Sequence, residues 1–359
     1  MSQKIPVAIL GATGTVGQKF IRLLAEHPWF EITAVAASSS SAGRPYADVA
    51  RWREPVPLPA SVAGMVIREC RAPLPTPVVF SALDAEVAGP IEQEFARSGA
   101  YVVTNTRTHR MEPDVPLLIP EANADHLALI DRQRSERGWS GAILANPNCS
   151  TAALALALAP LHRAFTVERL FVSTMQAVSG AGYPGVASLD IVGNVIPHIA
   201  GEEEKIERES RKVLGQLTDG SIEPARFAVS AHTNRVPVLD GHLMTVSVGF
   251  SQRVVVDEAT AVLREFQGPQ CVTQLPSSPR YPVEIDDRDD RPQPRLDLDR
   301  GQGMAVTVGR IRACPILDLR LVVLGHNTIR GAAGQGVQIA ELLVAGGRVE
   351  RGDRGRRAP

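Results

Sequence analysis

The sequence predicts a two-part α/β protein: a Rossmann-type doubly wound domain with a parallel sheet, then an α+β domain whose sheet is largely antiparallel. Three observations predict it. Short apolar runs alternate with helix-like stretches through the first half. A glycine-rich turn follows the first of those runs. The second half changes to long period-2 runs with few helices between them, the pattern of strands buried on one face. At 359 residues, 44% of them hydrophobic, the chain has enough apolar material for two cores.

In the first half the strand-like runs are Val7 to Leu10, Ile32 to Val35, Val78 to Phe80, Tyr101 to Val103 and Ala142 to Leu144, with helical stretches at Gln18 to His27 and Ala88 to Ser98. In the second half the alternating runs are Arg169 to Gln176, Leu243 to Phe250, Met304 to Ile311 and Leu317 to Leu324, with a charged helix over Gly201 to Gln216. Pro276 to Asp299 is rich in proline and aspartate and reads as an extended excursion over the surface or to a partner subunit. Apolar positions at helical spacing predict a last helix over Thr328 to Ala345, and the polar segment 348–359 predicts a flexible tail.

The formal net charge is −1 with basic residues dispersed, so the sequence carries neither a nucleic-acid footprint nor a basic membrane-binding face. It has no signal-like amino terminus and no transmembrane run. Cys70, Cys149, Cys271 and Cys314 are far apart and form no C-x-x-C pair, which argues against a disulfide framework or a metal site and fits a reducing cytoplasm.

Gly11-Ala12-Thr13-Gly14-Thr15-Val16-Gly17 lies between the first strand and the first helix. There, glycines permit a tight turn, and amides at the helix start can hold a pyrophosphate. The alternative is a plain tight turn. At the end of the second strand an NAD enzyme usually carries an acidic residue for the ribose hydroxyls. This chain has Ser38-Ser39-Ser40-Ser41 with Arg44 beyond, which favours a 2′-phosphate and hence NADP over a merely solvated serine loop.

Cys149 stands in Asn146-Pro147-Asn148-Cys149-Ser150-Thr151, directly before an alanine- and leucine-rich helix. Free amides and the helix dipole are expected to lower its pKa and favour a nucleophilic thiolate, where a lone cysteine is otherwise a small buried hydrophobe. Covalent chemistry on a carbonyl also needs an acid/base. Arg235 to His242 supplies a cation and an imidazole, with His198, His232 and His326 as competing histidines. Gln176 to Gly182 ends a strand in a glycine-containing loop, and Glu202 and Lys205 share one side of a helix.

Taken together, these motifs resemble the aspartate-semialdehyde dehydrogenases, in particular the branch typical of archaea and fungi. The likeness runs from Gly11-Ala12-Thr13-Gly14 through Asn146 to Cys149, Gln176 to Gly182, Gly201 to Lys205 and Arg235 to His242, ending at Asn327 to Gly334. It implies Cys149 as the acyl-accepting nucleophile, His242 as the acid/base and Gln176 orienting the substrate. Arg235 is to pair with the substrate α-carboxylate and Glu202 to meet its amino group. Arg110, Asn148 and Lys205 are to bind phosphate. Gly11, Thr13, Gly14, Thr15, Val16, Ser38, Ser39, Arg44, Ser81, Ser179, Gly180 and Asn327 are to lie along NADP. Relatives often have arginine where this chain has Ser40, leaving Arg44 as the nearest cation.

The resemblance also implies that residues 1–148 form the dinucleotide-binding domain, completed by a helix over 327–346, and that 149–326 form the catalytic and dimerisation domain. It implies a homodimer or homotetramer acting on aspartyl phosphate, NADPH and phosphate in the route to lysine, threonine and methionine. Two other readings stay open: a malonyl- or other acyl-coenzyme A reductase with the same nucleophile, and an inactive NADP-sensing scaffold.

Overall fold

The computed structural model describes residues 3–350. Six strands, β1 (Ile5–Leu10), β2 (Phe30–Ala37), β3 (Arg68–Glu69), β4 (Val78–Ser81), β5 (Tyr101–Thr104) and β6 (Ala142–Ala145), form a parallel sheet in the order β3-β2-β1-β4-β5-β6. The buried runs of β4, β5 and β6 show no alternation, because helices cover both faces of a parallel sheet. Strand order reverses between β1 and β4, and the glycine turn leaves β1 at that switch point to open the helix Thr15–Leu24.

The second sheet contains β7 (Val167–Gln176) and, beyond a small hairpin of β8 (Gln216–Thr218) and β9 (Ser221–Glu223), the strands β10 (Ala228–Arg235), β11 (His242–Phe250), β12 (Val283–Asp286), β13 (Val306–Ala313) and β14 (Leu319–Gly325). Their order is β10-β7-β11-β14-β13-β12. The four inner strands pair antiparallel, as their alternating patterns predict. Both edge strands pair in parallel, so the sheet is mixed. These edges are the two strands that periodicity does not reveal. β10 carries Ser230, His232 and Asn234 on its exposed side and ends at Arg235, and β12 lies inside the proline- and aspartate-rich segment expected to be an excursion.

Between the sheets runs the helix Cys149–Phe165, buried on every side from Ser150 to Leu161. A helix apolar all round belongs in an interior. One apolar cluster extends from Leu10 and Val79 through Leu154 and Leu158 to Val246 and Val323, joining both sheets through this helix. On the far face of the first sheet, Phe20, Ile21 and Phe80 pack with Val337, Ile339 and Leu343 of the final helix Gly334–Ala345. That helix starts later than the sequence pattern suggests, because Ile329–Ala333 forms a π-turn first. Arg330 of this turn is fully buried, its guanidinium bidentate to Glu121 at 3.0 and 2.7 Å. Of the tail 348–359, Arg348 hydrogen-bonds Asp131 and Val349 is buried, while residues 351–359 lie outside the described residues. No helix among the described residues is long and apolar enough to cross a membrane.

Candidate active site

Five elements bring their ends to one place. Register sets three of the side chains: Arg235 pairs with Gln176 at the ends of two parallel strands, and Leu243 pairs with Met175, so His242 begins its strand beside Gln176. Cys149 is the first residue of the central helix and Glu202 the first of the helix Glu202–Val213. Asn148 caps the central helix, its side-chain oxygen accepting from the amides of Ser150 and Thr151 at 3.0 and 3.2 Å.

Cys149 Sγ lies 3.2 Å from His242 Nε2. The other ring nitrogen, Nδ1, accepts the Ala177 amide at 3.1 Å. Because Nδ1 acts as an acceptor, the neutral imidazole carries its proton on Nε2, facing sulfur. Burial holds His242 down to about 3, and the Arg235 cation pushes the same way. A protonated ring also opposes two donors across the Ala177 contact. His198, His232 and His326 lack this pairing with the thiol.

The Cys149 thiol does not behave as its helix position predicts. Burial pushes it up to about 12, with the Glu202 carboxylate adding to the rise and Arg110 and Arg235 opposing it. Desolvation of a buried anion outweighs the attraction of the helix start. Since the folded pKa lies above neutral pH, the thiol is protonated there and thiolate accumulates only as pH climbs. Iodoacetamide alkylation of Cys149 in the ligand-free protein is therefore expected to quicken continuously from pH 7 to pH 10. A rate already level at pH 7 refutes the raised pKa.

Around the thiol, polar groups hold one another. Glu202 Oε2 accepts from Asn148 Nδ2 at 2.8 Å and from Gln176 Nε2 at 3.4 Å, and Oε1 meets Lys205 Nζ at 2.5 Å. Burial pushes Glu202 upward, but the Lys205 ammonium and the two amides outweigh it and hold the group below the ordinary range. Arg235 anchors one end on the Ala177 carbonyl at 2.8 Å. Arg110 binds Glu209 at 3.1 Å and the Asn105 carbonyl at 2.9 Å, while its buried Nε has no partner among the described residues.

Two glycines keep this centre compact. A Cβ on Gly180 lies 2.8 Å from the Arg235 guanidinium and 3.0 Å from the His242 ring, and one on Gly331 of the π-turn lies 2.6 Å from the Cys149 Cβ. The turn Val178–Ala181 is fixed by Asn327, which donates to Ser179 Oγ at 2.8 Å and accepts the Gly241 amide at 2.8 Å. Asn327 thus joins that turn to the start of β11.

A dinucleotide fits beside it. Gly11 has φ +69°, and a Cβ there falls 2.4 Å from the Ala82 carbonyl, so only glycine makes this turn. Gly14 caps the first helix with no side-chain bond to its amides. Two cavities, of about 560 and 490 Å³, share Thr13 and Gly14 in their walls. The larger reaches Thr15, Val16 and Asn105, and is bridged by Arg53 stacked 3.4 Å over the Tyr183 ring. The smaller holds Ser38, Ser39, Cys70 and Arg71. Arg44 is exposed, hydrogen-bonds the Asp48 carbonyl and stands outside both walls, as does the fully buried Ser81. Arg71, on a loop with no periodic pattern, gave no sequence signal; neither did Glu209 or the Ala177 amide.

Comparisons with known proteins place the chain as a whole. The family model for the semialdehyde dehydrogenase NAD-binding domain matches residues 6–130, and that for the semialdehyde dehydrogenase dimerisation domain matches 158–330. The chain is 49% identical to the aspartate-semialdehyde dehydrogenase of Methanothermobacter thermautotrophicus over 344 residues, covering 94% of this chain and 99% of that one. It is 45% identical to that of Cryptococcus neoformans, covering 97% and 99%. The crystal structure of the Candida albicans enzyme with NADP superposes with a TM-score of 0.88 at 42% identity, covering 96% of this chain and all of that one. The parallel sheet with its glycine turn, the mixed sheet, and this likeness along almost the whole chain lead to one conclusion: the chain belongs to the aspartate-semialdehyde dehydrogenase family.

Proposed function

We propose that the chain reduces L-aspartyl-4-phosphate to L-aspartate 4-semialdehyde with NADPH through a thioester on Cys149. The observation that carries this reading is the 3.2 Å pairing of Cys149 Sγ with a proton-bearing His242 Nε2, among two arginines and beside the glycine turn. The NADP-bound fungal relative supports the cofactor. Gly11, Thr13, Gly14, Thr15 and Val16 are assigned to the pyrophosphate and Ser38 and Ser39 to the ribose end, a reading supported by their lining of the two cavities, where Arg71 rather than Arg44 is the cation in the wall beside the serines.

The substrate α-carboxylate is assigned to Arg235, whose anchored guanidinium keeps N–H groups for a planar contact, and the ammonium to Glu202. Arg110 and Lys205 receive the phosphate, with Asn148 beside them. Sulfur bonds to the acyl carbon, the carbon–oxygen bond to phosphate breaks, and the thiol proton leaves with the phosphate. NADPH, when bound, supplies hydride to the thioester carbonyl. His242 Nε2–H, which faces the sulfur, keeps its proton and hydrogen-bonds the leaving thiolate as the carbon–sulfur bond breaks. Releasing the aldehyde returns a thiolate that takes one proton from water, which balances the overall reduction.

The dimerisation-domain match and the exposed apolar side chains Phe171, Leu189 and Val192 support a homodimer, or a dimer of such dimers. The activity is tested in reverse, by following NADPH formation from aspartate semialdehyde and NADP with one acceptor at a time. Inorganic phosphate is expected to suffice, with arsenate replacing it. Strict dependence on coenzyme A overturns the assignment and leaves an acyl-coenzyme A reductase.

A further inference from the structure

The helix Glu202–Val213 presents more to the site than its first turn. Seven residues beyond Glu202, on the same face, Glu209 is buried at 2% exposure beneath the nucleophile turn. One of its oxygens accepts the backbone amide of Asn148 at 2.5 Å and the other accepts Arg110 Nη1 at 3.1 Å. Next along this face, Lys212 Nζ donates to the carbonyls of Arg110, Glu112 and Val115 at 2.7, 2.7 and 2.8 Å. The segment bearing Arg110 is therefore clamped to this helix at two points.

We propose that Glu209 is a positioning residue for phosphate transfer. Its carboxylate holds the phosphate-binding guanidinium of Arg110 and the residue that caps the nucleophile helix in one fixed relation. The inference rests on the phosphate-dependent activity proposed above. Two donors from segments far apart in sequence converge on one buried carboxylate, so Glu209 ties the guanidinium of Arg110 directly to the backbone of the nucleophile turn. Arg110 has its Nη2 on the Asn105 carbonyl and its Nη1 on Glu209, and its buried Nε–H has no partner among the described residues.

The test uses the whole chain in the reverse assay, with Michaelis constants measured separately for phosphate and aldehyde. In Glu209→Gln the amide oxygen can still accept from Asn148, but the amide nitrogen faces Arg110 donor to donor. The KM for phosphate is expected to rise about tenfold, the effect of one charge-assisted hydrogen bond, with that for aldehyde and the affinity for NADP unchanged. Glu209→Asp keeps the buried charge, and with it the fold, but is too short to span both donors, so it is expected to show the same selective rise if the glutamine variant does not fold. A phosphate KM left at its original value, or both constants rising together as from general loosening, overturns the role of Glu209. A parent protein whose rate ignores phosphate overturns the activity itself, which is a distinct result.

Discussion

Cys149→Ala is expected to lower turnover by roughly 10⁴-fold or more while the protein still folds and binds NADPH, because the proposed thioester has no other attachment point. The substituted side chain sits at the start of a helix whose capping bonds come from Asn148, so the helix keeps its first turn. The glycine turn and its two cavities do not include residue 149. NADPH binding, followed by fluorescence, should therefore match the parent. The remaining thiols provide a control, since Cys70 lines the smaller cavity and its modification should be blocked by dinucleotide rather than by substrate. Turnover near the parent rate refutes covalent catalysis at this residue.

His242→Asn is expected to reduce kcat by roughly 10²–10³-fold, the usual cost of losing a hydrogen-bond donor aimed at developing negative charge. Asparagine can offer its oxygen to the Ala177 amide where Nδ1 now stands, which keeps the strand end in place, but it has nothing in the position of Nε2. The pH profile gives a second check. His242 has its pKa held down to about 3, so it stays neutral from pH 5 to pH 8 and should leave no inflection there in kcat/KM of the free parent enzyme. A limb near pH 6.5 that disappears in the asparagine variant would show that the ring titrates normally and that the amide contact does not control its proton.

Much of this architecture can be read from local pattern. β4 and β6 announce themselves as unbroken apolar runs, and β7 and β11 as alternating ones, because burial on two faces and on one face leave different periods. The edge strands β10 and β12 escape because an edge need bury little, so polar residues and a proline-rich flank hide them. The site follows the same division. Cys149 and the glycine turn carry their signal within a few residues, whereas Glu209 works only through partners distant in sequence. The thiol pKa shows the limit most clearly. A helix start can be located from sequence, but the depth of burial that overrides it belongs to the assembled core.

The π-turn Ile329–Ala333 follows both sheets in the chain, yet it presses Gly331 against Cys149 and locks itself with the buried pair Arg330–Glu121. Synthesis runs from the amino terminus, so the nucleophile and the cofactor turn leave the ribosome long before the segment that packs against the backbone and Cβ of Cys149. A chain that stops before this turn holds Cys149 and the cofactor turn but lacks the backbone that packs against the nucleophile residue.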